Sequence, residues 1–109
     1  MKRTIALVVT LGFGTVIAAT AADVKENWDK NCAACHGTEG KGDKPMGKKL
    51  SVKDMTDAKV QADLKDDVAF KNIKEGVKDG DSFKMKAFGE ILSDDEIKAL
   101  VQKVRSFKK

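Results

Sequence analysis

The chain has 109 residues, 35% of them charged, with two cysteines, one histidine and a formal charge of +4. That length points to a single domain. The basic balance comes partly from Lys2 and Arg3. Without them 19 basic residues face 17 acidic ones, and with no arginine-rich run the composition argues against a nucleic-acid partner.

The first 22 residues read as a cleavable secretory leader. Lys2 and Arg3 form its basic start, Ile5 to Ala19 its apolar stretch, and the small residues ending at Ala21 or Ala22 its cleavage site. The rival is an uncleaved anchor. The uncharged run from Thr4 to Ala22 falls short of the roughly 20 residues a membrane helix needs, and it carries Gly12 and Gly14. Cleavage after Ala22 leaves a domain of residues 23–109, exported to the periplasm or beyond and without stable membrane insertion.

A first helix is predicted from about Asp23 to Ala34, with Asp23 as N-cap and Val24, Trp28 and Cys32 on one face. Trp28, the only tryptophan, reads as a core aromatic. The helix leads into Cys32-Ala33-Ala34-Cys35-His36, the spacing of covalent haem attachment. Residues at i and i+3 share a helix face, so both sulfurs can reach one haem edge while His36 offers a nitrogen to the iron. Three other readings compete. Zinc needs four ligands, and an acidic residue would have to complete the set. A thioredoxin-like pair requires a βαβ setting that this chain lacks. A disulfide across two residues closes too small a loop to stabilise much. A domain of this size buries only about 60–65% of its unfolded surface. A large apolar cofactor would supply core that the chain lacks, which favours haem.

Beyond His36, Gly37, Gly40 and Gly42 stop the helix and would let backbone approach a bulky ligand. Pro45 could offer a carbonyl to the free ring nitrogen of His36. Between Lys53 and Leu64 lies one short, weakly amphipathic helix capped by Thr56 or Asp57. Asp66 and Asp67 open a clearer helix through Val68, Phe70 and Ile73 toward Val77, ended by Gly76. No strand-like alternation is evident, and the stretch around Met85 reads as irregular. The last helix opens with a capping box, Ser93 paired with Glu96. Ile97, Leu100, Val101 and Val104 then line its buried face, and the cations from Lys103 to Lys109 read as a solvated terminus.

With a single histidine, a second axial ligand from this monomer cannot be an imidazole, so methionine is the soft donor to consider. Met46 and Met55 read as ordinary gap-filling side chains. Between His36 and Met85 lie 48 residues, enough chain to wrap a haem before presenting a sulfur. In an extended segment Lys84 and Lys86 would point away from the iron as Met85 points toward it. With Lys41, Lys44, Lys48 and Lys49 they would form a cationic rim for an acidic partner.

Cys32-Ala-Ala-Cys35-His36-Gly37, followed by Met85-Lys-Ala-Phe88-Gly89 and Leu92-Ser93-Asp94-Asp95-Glu96-Ile97, resembles the bacterial class I cytochromes c over nearly the whole span from Asp23 to Phe107. The resemblance implies an all-α, cytochrome c-like fold of four to five short helices around one covalent haem c. It implies thioether attachment at Cys32 and Cys35, axial ligation by His36 and Met85, and single-electron shuttling rather than enzymatic turnover. The protein would then be a monomer docking transiently with redox partner proteins. The alternatives are a haem enzyme or gas-binding protein with a labile sixth ligand, or a fixed subunit of a larger oxidoreductase. Two positions depart from the family pattern. Lys86 replaces a proline after the methionine, which would loosen the iron–sulfur bond. Lys103 stands where an aromatic of the last helix usually meets the first, so Trp28 would pack on Leu100 and Val104.

Overall fold

The computed structural model describes residues 21–109. The expected leader therefore lies outside the described residues, apart from Ala21 and Ala22. These two open helix α1, Ala21–Asn31. The helix starts two residues before the anticipated cap, so Asp23 sits in its first turn, where a carboxylate complements the helix dipole. Nor does α1 run through to Ala34. Cys32 takes φ −120° and ψ −35° and begins a separate turn of helix, α2, Ala33–His36. The break leaves Cys32 buried and Cys35 half-buried.

Three short helices follow: α3, Pro45–Lys49; α4, Ala58–Asp63; and α5, Asp66–Glu75. Helix α3 was not anticipated. Pro45 sits at its start, where a missing N–H costs nothing. Helix α4 is capped by Asp57, whose carboxylate accepts from the Lys59 and Val60 amides at 2.8 and 3.3 Å. Helix α5 ends at Gly76 with φ 78°, a left-handed value that glycine adopts without strain. Its buried face is Ala69 and Ile73, whereas Val68 is 45% exposed.

The irregular stretch expected before the last helix is instead a two-stranded antiparallel hairpin, β1 (Val77–Asp79) with β2 (Ser82–Met85). Helix α6, Asp94–Ser106, closes the chain. The six helices among the described residues agree with the helical reading, and the hairpin is a small addition. Among the described residues no helix is long and apolar enough to cross a membrane.

Helix α6 packs on both α1 and α5. Ile97, Leu100, Val101 and Val104 are 0–7% exposed and meet Trp28, Ile73 and Phe88 in one cluster. The capping box forms as read: Ser93 Oγ accepts from the Glu96 amide at 3.1 Å, and Glu96 accepts from the Ser93 amide at 3.0 Å. Glu96 also accepts from the Asn27 side-chain amide at 2.9 Å, which ties α1 to the start of α6. Those bonds, the Ser93 amide first, hold the Glu96 carboxyl below its ordinary range. A lowered folded value means that this contribution is present at neutral pH and lost as pH falls through it. Ser93→Ala is expected to cost about 1 kcal/mol in urea unfolding at pH 7. In Glu96→Gln the acid-side decline of stability should be shallower than in the native chain.

Two side chains near the C-terminus behave differently from a solvated tail. Phe107, just past α6, stacks on Trp28 with ring centroids 5.0 Å apart. It supplies the aromatic contact that seemed missing at Lys103, and the Lys103 ammonium sits 5.3 Å over that same ring. Arg105 bonds Asp66 at 2.8 Å, the backbone oxygen of Gln61 at 2.6 Å, the Gln61 side-chain oxygen at 3.0 Å, and the Leu64 carbonyl. The buried Gln61 amide donates onward to the carbonyls of Met55 and Val104 at 2.6 and 2.7 Å. This network fixes α4 and its flanking loops to α6 by satisfying buried polar groups rather than by apolar burial.

Candidate functional site

Cys32, Cys35, His36 and Met85 all line one cleft of about 520 Å³. That size is ordinary for a cofactor site, about 300–1,000 Å³. Leu50, Val52, Leu64, Val77 and Phe88 supply most of its apolar wall. The α1–α2 break brings the two cysteines and the histidine, and the hairpin brings the methionine.

Burial governs the chemistry of the first three. The Cys32 thiol is pushed up to about 12, chiefly by burial and secondarily by Cys35. A thiol held protonated is a poor redox nucleophile at neutral pH, which weighs against the thioredoxin-like reading. Among the described residues, no three His, Cys, Asp or Glu side chains converge to hold a metal ion. Burial also lowers the affinity of His36 for protons, so the imidazole stays neutral, as an iron ligand must. Its ring lies 5.7 Å from Trp28. The anticipated bond from His36 Nδ1 to the Pro45 carbonyl is not formed: Nδ1 is buried without a hydrogen-bond partner.

Glycine matters here, but not as expected. None of Gly37, Gly40 and Gly42 lines the cleft. Gly40 lies under Phe107, where a Cβ would come 2.5 Å from the ring. The close approach beside the cleft belongs to Gly47 in α3, whose Cβ would lie 2.1 Å from the Cys35 carbonyl. Helix α3 is therefore pressed onto the Cys-x-x-Cys-His turn. A glycine inside a short helix gives no sequence signal of that contact.

The hairpin register explains how Met85 reaches the cleft. Lys78 pairs with Phe83, but Val77 pairs with Met85, so Lys84 is an extra residue opposite that step. Paired residues share a sheet face, and Val77 and Met85 both line the cleft. Without the bulge Val77 would face Lys84. Bulges commonly re-aim a side chain in this way. The bulge also upsets the simple alternation expected around Met85, since Lys84 and Lys86 line the cleft as well. The rest of the cationic rim differs too: Lys30 and Lys53 line the cleft, whereas Lys41, Lys44, Lys48 and Lys49 do not. Of the other methionines, Met46 is 48% exposed and away from the cleft. Met55 lines the cleft while packing against the core.

Two cysteine sulfurs, a neutral imidazole and a thioether on a mostly apolar cleft fit a covalently held haem. Comparison with known proteins agrees. The family model for Cytochrome C oxidase, cbb3-type, subunit III matches residues 19–102. Among solved structures, the chain is similar to the KustC0563 c-type cytochrome, with 34% identity over 78% of this chain and 96% of that one, at a TM-score of 0.69. A point mutant of that protein matches at 34% identity over 79% and 99% of the two chains, at a TM-score of 0.67. No curated protein matches the chain. The cofactor is haem c, bound covalently through Cys32 and Cys35. The chain belongs to the cbb3-type cytochrome C oxidase subunit III family and is a small monohaem c-type cytochrome with a cytochrome c-like fold, an electron-transfer domain.

Proposed function

We propose that the protein is an exported single-electron carrier in which His36 and Met85 occupy the two axial positions. The observation that carries this reading is that side chains separated by 48 residues line the same cleft as the two attachment cysteines. The bound haem supplies a one-electron couple at its iron. Cys32 and Cys35 hold it by thioether bonds, so it is not lost between partners. His36 contributes a nitrogen kept neutral by burial, and Met85 contributes a soft sulfur that favours the reduced state. With both positions held by protein there is no open site for a substrate, which supports a carrier rather than an enzyme. Reduced protein exposed to carbon monoxide should resist binding; prompt binding would favour the open-site alternative.

Lys30, Lys53, Lys84 and Lys86 at the cleft support docking of a monomer with acidic redox partners over a small interface, below about 1,200 Å². Their effect is on encounter rate. Electron transfer to an anionic oxidant such as ferricyanide is expected to slow as salt rises. A Lys84→Glu, Lys86→Glu variant should be roughly tenfold slower at low salt and converge with the native protein near 1 M, where screening extends only about 3 Å. Equal rates at low salt would remove the docking role. The leader at residues 1–22 supports a periplasmic location, and mass analysis of the mature N-terminus tests its removal.

The family description favours one second reading, a relay subunit fixed within a larger oxidase. Native-state size separates the two: a free carrier elutes alone, and a relay elutes with partner subunits.

A further inference from the structure

Helix α4 has no apolar anchor of its own. Its single buried side chain is Gln61, 4% exposed, and Val60 is only half-buried. Burying an amide costs free energy unless its polar atoms find partners, and here both do. Gln61 Nε2 donates to the carbonyls of Met55 and Val104 at 2.6 and 2.7 Å, and its Oε1 accepts from Arg105 at 3.0 Å.

The carbonyls gripped are those of cleft residues. Between positions 54 and 66 the side chains that line the cleft are Met55 and Leu64, one before α4 and one after it. Gln61 holds the Met55 carbonyl, and Arg105 holds the Leu64 carbonyl. Arg105 also donates to the Gln61 carbonyl at 2.6 Å and to the Asp66 carboxylate at 2.8 Å, so all three guanidinium nitrogens are engaged. Both grips are anchored on α6, at Val104 and Arg105. Hydrogen bonds are directional, so they set the place of the two apolar side chains more sharply than packing alone would. The apolar shell around a metal centre controls water access and local dielectric, and through them its reduction potential.

We propose that Arg105 and Gln61 are positioning residues, a clamp that holds Met55 and Leu64 in the wall of the haem cleft, excludes water there and so raises the reduction potential. The inference needs haem in the cleft but no particular sixth ligand. With the clamp released, α4 has no buried apolar side chain to keep it in place, and water reaches that wall. Water stabilises the extra positive charge of ferric iron, so the potential falls.

The test is the midpoint potential of the haem-loaded protein, read by redox titration. Deleting a cation would lower the potential by charge alone, so the first variant is Arg105→Lys, which keeps the charge and loses the planar fork. The second is Gln61→Leu, close in shape but without donor or acceptor. In each, the ferrous-to-ferric ratio at a fixed poise is expected to fall about threefold to tenfold, the upper value being about 59 mV for one electron. The double variant should fall no further than either single one, because the same network is lost in all three. Ser93→Ala loosens the opposite end of α6 and should keep the native potential. A native potential in either folded variant would overturn the proposal, as would additive falls in the double variant or an equal fall in Ser93→Ala. Arg105→Lys decides alone if Gln61→Leu does not fold.

Discussion

Met85→Ala is expected to abolish the methionine-to-iron charge-transfer band completely, turn the haem high-spin and open it to carbon monoxide. Among the described residues no other thioether or imidazole is as well placed to compensate. Met46 is 48% exposed and outside the cleft, and His36 is the only histidine. Met55 is the remaining sulfur on the cleft wall. Its amide donates to the Gly40 carbonyl at 2.8 Å and its carbonyl accepts from Gln61 at 2.6 Å, so its backbone is fixed at both ends. Met55→Leu should leave the spectrum unchanged. If Met85→Ala keeps its band and Met55→Leu loses it, Met55 is the donor. The potential of Met85→Ala should also fall, because thioether ligation favours the ferrous state. Lys86, where the family usually has proline, leaves the residue after Met85 free in φ. Lys86→Pro is accordingly a natural companion variant.

Trp28→Ala is expected to cost about 3–5 kcal/mol, against a total of about 5–15 kcal/mol for a domain. The side chain is 2% exposed and stands where three parts of the chain meet. Its ring lies 5.0 Å from Phe107 and 5.7 Å from His36, and its Nε1 donates to the Gly37 carbonyl at 2.9 Å. Alanine would leave a cavity between α1 and α6, strip Phe107 of its stacking partner and leave the buried carbonyl directly after the histidine with only the Gly40 amide, at 3.3 Å, as donor. Trp28→Phe separates these effects. It keeps most of the packing and loses one hydrogen bond, at about 0.5–1.5 kcal/mol. Guanidinium unfolding of the haem-loaded proteins measures both. A loss below 1 kcal/mol in Trp28→Ala would mean that the ring is not central to the core.

Features set by neighbours in sequence were legible, and features set by distant contacts were not. The Ser93–Glu96 capping box and the buried face of α6 are encoded within single turns, and both form as read. The Cys32–His36 motif carries its own spacing, so the attachment chemistry was readable from five residues. By contrast, Phe107 lies beyond the helix whose periodicity would have marked it, so its stack on Trp28 left no pattern to find. Arg105 looked like one more terminal cation because its partners, Gln61, Leu64 and Asp66, lie about 40 residues earlier. The hairpin strands are three and four residues long, too short for alternation to register. The bulge at Lys84 then breaks what alternation there is, and it is the bulge that sets Met85 beside Val77. Gly47 has no local signal, because its reason is the Cys35 carbonyl, which is close only in the folded chain.

An absorption spectrum of the purified protein, oxidised and reduced, bears most directly on whether one polypeptide both tethers the haem and closes it on two faces. The account predicts colour that stays with the chain after denaturation, low-spin bands in both oxidation states, and a methionine-to-iron band when oxidised. A colourless protein with both thiols free to alkylate would contradict the attachment, and a high-spin spectrum at neutral pH would contradict the ligation.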